Sequence, residues 1–207
     1  MNKKYDTINY NTKGTNMEKE LLLEITELVN QKVEEKLSNF GKDIATFEFV
    51  SEEQFISDSI DRNFDEEQAK EAYKNLKLPQ ASTIGSAGFD FYTPYNISLK
   101  PKESVFIPTG IRCKMDNRWA LFMMPRSGHG TKFRLQLDNT IGLIDEDYYY
   151  ANNEGHIMIK LTNDTNEDKN FFLEAGNKFV QGVFMYTGTA KDAILNAKRT
   201  NGFGSTN

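Results

Sequence analysis

The sequence predicts a mainly β protein, a sandwich or barrel with a helical extension at its N-terminus. After Pro79, short alternating apolar and polar stretches recur between Gly, Pro, Asn and Asp. They are Gly88–Tyr92, Ser104–Ile107, Ile111–Lys114, Ala120–Met124, His156–Leu161, Asn170–Leu173 and Phe179–Met185. Regular strands with turn signals indicate an all-β sandwich or barrel and not parallel βαβ units. Before Pro79 the periodicity is helical instead.

Residues 1–15 are polar and read as a mobile tail. From Met17 to Phe40, Leu22, Ile25, Val29, Val33, Leu37 and Phe40 recur every three or four positions, which predicts a helix within segment 16–45. Thr15 and Glu18 stand at capping-box spacing, and Gly41 suits the helix end. A helix so isolated in sequence is unstable unpacked, so its stripe should dock on the domain or on copies of itself. The extension is also a candidate surface for a protein partner. Phe47-Glu48-Phe49-Val50 alternates as a strand. Ser51 and Gln54 open a short helix toward Ile60, and Asp65 and Gln68 open another to about Leu76, which Pro79 ends. These helices form an insertion near 51–77 in a β domain expected over 46–197, with a C-terminal arm at 198–207.

Composition narrows the function classes. At 207 residues, 38% hydrophobic and 27% charged, the chain suits one soluble domain with an appendage. A net charge of −5 argues against direct nucleic-acid binding, which needs a concentrated basic face. No apolar run approaches the ~20 residues of a membrane span, and residues 1–6 lack the apolar core of a signal peptide. The lone Cys113 permits no internal disulfide and reads as a buried structural thiol, so the expected compartment is a reducing cytoplasm. With one Cys, His129 and His156 cannot complete a structural zinc site.

Five segments are richer than packing requires. Ser86-Ala87-Gly88-Phe89-Asp90 puts a carboxylate on a strand after a small-residue turn, and Pro125-Arg126-Ser127-Gly128 puts an arginine and a hydroxyl on a turn at a strand end. Asn139 through Tyr148 reads as a hairpin-like segment with an amide, carboxylates and an aromatic, and Gly176 to Gln181 is a turn leading into a strand with a glutamine. Last comes Arg199-Thr200-Asn201-Gly202-Phe203-Gly204-Ser205-Thr206-Asn207. Its glycines let backbone N–H groups approach an anion, its hydroxyls and Arg199 suit phosphate, and Phe203 offers a flat face to a base. Such an arm reads as a lid over a nucleotide.

The order of these segments, from about Pro79 to Asn207, resembles the five-motif signature of the trimeric dUTP nucleotidohydrolases (dUTPases). The resemblance implies a jelly-roll-like barrel in a homotrimer, with active sites at subunit interfaces. It also implies cleavage of dUTP to dUMP and pyrophosphate, with Mg²⁺ held on the triphosphate. Asp145 would deprotonate the attacking water. Asn139, with Gly142 and the hairpin backbone, would read uracil, and Tyr148 would pack under the deoxyribose and exclude a 2′-hydroxyl. Arg126, Ser127, Gly128, Gln181, Arg199, Gly204, Ser205 and Thr206 would serve the phosphates or the water, and Phe203 would stack on uracil. Asp90 would order the site, through the hydrated metal or the arm's arginine. Each site would draw motifs one, two and four from one subunit, motif three from a second and the arm from the third.

The sequence departs from the family pattern at four places. His129 stands where an aliphatic residue is usual, and Tyr149–Glu154 lengthens the link before Gly155. Asn177-Lys178 replaces an Asp-Arg pair, and Arg199 stands closer than usual to Phe203. Within the same fold, dCTP deaminase needs a glutamate where Lys160 stands, which disfavours deamination. A regulatory binding protein built on the dUTPase scaffold is the rival from another class, and the intact Asp145, Ser127 and Phe203 speak for catalysis.

Overall fold

The computed structural model describes residues 16–191. The chain divides into two units, Met1–Asp43 and Ile44–Asn207. The first holds helix α1 (Asn16–Ser38), which has no buried residue. Leu22, Ile25, Val29, Val33 and Leu37 are exposed. Glu18 lies in its first turn and Lys36 in its last, each matched to the helix dipole. Thr15, the other half of the expected capping box, lies outside the described residues.

The second unit opens with β1 (Ala45–Phe49), α2 (Glu52–Ile60), α3 (Glu66–Lys74), β2 (Gln80–Ala81) and β3 (Gly88–Tyr92). It continues through β4 (Ile97–Leu99), β5 (Ser104–Pro108), β6 (Ile111–Met115), β7 (Trp119–Pro125), α4 (Ser127–Phe133) and β8 (Leu135–Leu137). Then come β9 (Gly142–Asp145), a 3-10 helix (Glu146–Tyr150), β10 (Met158–Asn163), β11 (Phe171–Leu173) and β12 (Lys178–Tyr186). The main sheet runs β2-β3-β12-β7-β9, a second runs β5-β10-β8, and β1-β6 and β11-β4 form pairs. Each of these ladders is antiparallel. The alternation that predicted the strands is the burial pattern itself: in β6, Ile111, Cys113 and Met115 are buried, Arg112 is half-buried and Lys114 is exposed. Burial also pushes the Cys113 thiol up to about 12, helped by the nearby Glu48 charge, so it is an inert core thiol.

Both short helices begin as expected. Ser51 accepts the Gln54 N–H, and Asp65 accepts the Gln68 N–H. Their apolar faces, with Val50, Phe55, Ala69 and Ala72, close over Tyr95 as a cluster beside the barrel core. Phe55 is fully buried, its ring centroid 5.7 Å from Tyr73 and 6.1 Å from Tyr95. This segment is therefore part of the folded domain. β1 starts at Ala45, which pairs with Met115, and the second unit starts at Ile44.

The structure departs from expectation in the shortest elements. β2, β4 and β8 have two or three residues each, too few to show a period of two. The turn expected after Pro125 continues into α4. The strand expected at His156–Leu161 starts instead at Met158, because His156 is engaged by Asp58 and by the Gly110 N–H.

A chain starting at Ile44 should unfold at the same urea midpoint as the full chain. Phe55→Ala should lower stability by about 3–5 kcal/mol, the range for emptying an aromatic core site. Urea denaturation followed by circular dichroism checks both.

Candidate active site

Three of the segments singled out above meet at one end of the main sheet. Gln181, on the central strand β12, pairs with Asp90 on β3 and with Met124 on β7. Residues directly opposite in an antiparallel ladder project to the same face. Gln181 and Asp90 therefore share a face, and β7 ends one residue past Met124 to deliver Arg126 beside them. Gly88 lies close against Gln181: a Cβ there would stand 2.9 Å from Gln181 Oε1.

Asp90 is a buried carboxylate with every neighbour arranged to keep it charged. Arg126 Nε donates to Oδ1 at 3.0 Å. Oδ2 receives the Ser82 hydroxyl at 2.6 Å and the Lys178 ammonium at 2.9 Å, and Lys178 also donates to Ser82 Oγ at 2.7 Å. Burial opposes ionisation, but these hydrogen bonds and the two positive charges outweigh it and hold the carboxyl below the usual range. The three bonds go to Arg126, Ser82 and Lys178, and through the first of them Asp90 holds Arg126 in place. Among the described residues, no group of three or more His, Cys, Asp or Glu is placed to hold a metal ion.

Beyond Arg126, Ser127 and Gly128 are exposed, and no atom lies within 4 Å of where a Cβ would stand on Gly128. Open space lies over this turn. His129 faces inward, its ring edge-on to Phe171 at 5.2 Å and its Nδ1 3.4 Å from Phe179 O. Burial lowers its pKa, so it is a neutral packing residue.

A second feature lies between β8 and β9. The chain passes from one sheet to the other through Asp138–Ile141, so the two strands part and leave a cavity of about 90 Å³. Phe106, Met123, Leu137, Ile144 and Met158 line it, with Asn139 and Gly142 at the turn. Thr140 at the tip holds φ at 68°, a left-handed conformation costing a β-branched residue about 1–3 kcal/mol. Its N–H to Leu137 O at 2.8 Å and that of Ile141 to Asn139 O at 2.7 Å keep the turn in place. At the rim Lys160 pairs with Asp138 at 2.7 Å. Burial opposes the Asp138 charge, but the bonds from Lys160 and Thr162 hold its carboxyl below the usual range.

Asp145 is the last residue of β9 and is half-buried. It pairs with Ala120, whereas Arg126 follows Pro125 at the other end of β7. Five residues at ~3.4 Å separate those ends by about 17 Å. One chain therefore does not bring Asp145 and Arg126 to the same point. Tyr148, expected under a sugar, is 4% exposed within the core cluster, and its hydroxyl donates to His156 O at 2.9 Å. In the single chain it is a core residue. Arg199, Phe203, Gly204, Ser205 and Thr206 lie outside the described residues. The sequence reading missed Ser82 as a partner of Asp90 and saw Lys178 only as a departure. A hydroxyl in a turn has no periodic signature, and the pairing spans 96 positions for Lys178 and Ser82.

Comparison with known proteins agrees with this geometry. Residues 74–207 match the family model for dUTPase. The deoxyuridine 5′-triphosphate nucleotidohydrolase of Lactococcus lactis is 39% identical over 139 residues, 65% of this chain and 91% of that protein. Among solved structures, the dUTPase from Streptococcus mutans aligns with a TM-score of 0.53 at 34% identity, over 70% of this chain and 98% of that one. A mutant dUTPase from phage phi11 of S. aureus, for which coordination of a structural Mg(II) ion is described, gives a TM-score of 0.52 over 75% and 98%. At 16% identity it shares the fold alone. The chain belongs to the dUTPase family.

Asp90→Asn should cost about 1–3 kcal/mol at pH 7, since it leaves Arg126 and Lys178 without their anion. A folded-state pKa held low adds stability above the unfolded value of about 3.9 and loses it as pH falls through the lowered pKa. The Asn variant should therefore show a shallower loss of stability below about pH 4 than the wild type. Urea midpoints at pH 7 and pH 3 check this.

Proposed function

We propose that this chain hydrolyses dUTP, carrying Mg²⁺ on its phosphates as part of the substrate, to dUMP and pyrophosphate. Such an activity limits uracil incorporation into DNA and supplies dUMP for thymidylate synthesis. The observation that carries the reading is the parting of β8 and β9, which opens a small apolar-walled pocket three residues from Asp145. Uracil offers one N–H donor flanked by two carbonyl acceptors. The Asn139 amide and the turn backbone supply the complementary groups, so a cytosine edge would leave buried polar groups unpaired. A pocket of about 90 Å³ leaves little room for a 5-methyl group.

This reading gives each group a role in hydrolysis. Asp145 takes a proton from a water molecule whose oxygen attacks the α-phosphorus in line. The bond from that phosphorus to the bridging oxygen breaks, and pyrophosphate leaves with the electron pair. A carboxylate is a weak base alone, but an anionic phosphate beside it raises its proton affinity. Arg126, Ser127 and Gln181, with Lys178 behind them, answer the charge on the phosphates. Deamination lacks its proton shuttle, because Lys160 stands in that position and is paired with Asp138.

The separation of about 17 Å along β7 supports a composite site in a closed trimer, with Asp145 from one subunit and Arg126 from another. The arm at 198–207 would close over the nucleotide. Pyrophosphate release should be fast from dUTP and slow from dCTP, dTTP and UTP. Asp145→Asn should lose ~10²-fold or more in turnover while still binding dUTP.

Inactive Asp145→Asn and Arg126→Ala chains, denatured and refolded together, should regain activity. Random assortment in a three-fold ring gives about a quarter of sites both native groups. No recovery from mixed trimers shown to have formed would mean that each subunit builds its own site.

A further inference from the structure

The segment Tyr149–Glu154, which lengthens the link before Gly155, is bound at both ends to residues that precede the family match at 74–207. Tyr149 donates its hydroxyl to Glu48 Oε2 on β1 at 2.7 Å. The same oxygen receives Arg112 Nε and Nη2 at 3.0 and 2.9 Å, and the Arg112 guanidinium lies 4.1 Å over the Tyr149 ring. Glu154 accepts the Ser51 backbone N–H at 2.8 Å and its hydroxyl at 2.7 Å, while Ser51 Oγ caps α2 through the Gln54 N–H. His156 is fully buried. Its Nε2 accepts the Gly110 N–H at 2.8 Å, so its proton sits on Nδ1 and is donated to Asp58 Oδ2 on α2 at 2.6 Å.

The loop is also closed on itself. Tyr148 donates to His156 O, and Asn153 Nδ2 donates to the Tyr148 hydroxyl at 3.0 Å. Gly155 holds φ at 72°, and a Cβ there would lie 2.7 Å from Tyr148 O and Tyr149 Cα. The turn is thus as tight as the backbone allows. Upstream, the 3-10 helix begins directly after Asp145 and contains both Tyr148 and Tyr149. Rigid attachments on the loop therefore reach Asp145 within four residues.

We propose that β1 and α2 with its N-cap form a positioning element, in which Glu48, Ser51 and Asp58 hold the Tyr149–His156 loop and thereby fix the direction of Asp145. The proposal rests on the reading of Asp145 as the base. None of these residues touches the base pocket or the Asp90–Arg126 cluster, so substrate affinity is set elsewhere. Glu48→Gln, Glu154→Gln and Ser51→Ala, made in the full chain, should each lower kcat for dUTP by about tenfold to a hundredfold, as a misplacement of ~1 Å does. KM should stay within about twofold, because the binding groups are unmoved. Ser51→Thr keeps the hydroxyl and should restore kcat.

Asp145→Asn is measured alongside. If it is inactive while folded Glu48→Gln, Glu154→Gln and Ser51→Ala keep the wild-type kcat, the positioning role is wrong and the base assignment stands. If Asp145→Asn itself retains most of the wild-type rate, the base assignment falls and the positioning role with it. Equal damage to kcat and KM, or a kcat that recovers when a stabilising osmolyte is added, would show a purely structural role and overturn the proposal.

Discussion

The register of β12 between β3 and β7 is the constraint on which the rest depends. Because side chains alternate along a strand, a slip of one residue would send Gln181 into the core and bring Val180 out. The buried Val180, with Leu121, Met123 and Phe91 of the flanking strands in the same core, makes that slip costly. The apolar interior thus sets the position of polar groups that contribute nothing to it. Asp90, Arg126, Lys178 and Gln181 stand together because hydrophobic burial admits one alignment of these three strands.

The same logic carries a cost at the other sheet boundary. A chain crossing from β8 to β9 cannot keep both strands paired to each other and to their own sheets, so the hairpin opens. Its tip holds a β-branched residue at positive φ, and its rim needs the Asp138–Lys160 pair to order it. Local strain is retained where the surrounding sheets overdetermine it. An opening between two rigid sheets is a better-defined recess than a free loop provides, because its walls are core residues.

Part of the site was legible because its spacing in sequence is its spacing in the fold. Asp90 follows a small-residue turn directly, Arg126 follows a strand end directly, and Asp145 ends a strand that a glycine begins. The two helix caps at Ser51 and Asp65 were legible for the same reason, since a cap and its acceptor lie three residues apart. Three of the shortest strands, β2, β4 and β8, were not, because two or three residues show too little of a period. The partners of Asp90 were not legible, since a carboxylate among glycines and hydroxyls does not reveal that Lys178 and Arg126 will both reach it.

What the sequence by itself determined was the mainly β class, the helical character before Pro79, and the order of five motifs that places the chain among the dUTPases. These are local properties, written in periods of two and 3.6 and in short turns. Only the tertiary structure decided which distant groups meet. It joined Glu48, Ser51 and Asp58 to a loop about a hundred residues away, as at Ser51 and Glu154, 103 positions apart. It buried Tyr148, and it set Asp145 and Arg126 beside opposite ends of β7. Those pairings follow from sheet order and burial, which are chosen by the free energy of the whole core and by no single stretch of the chain.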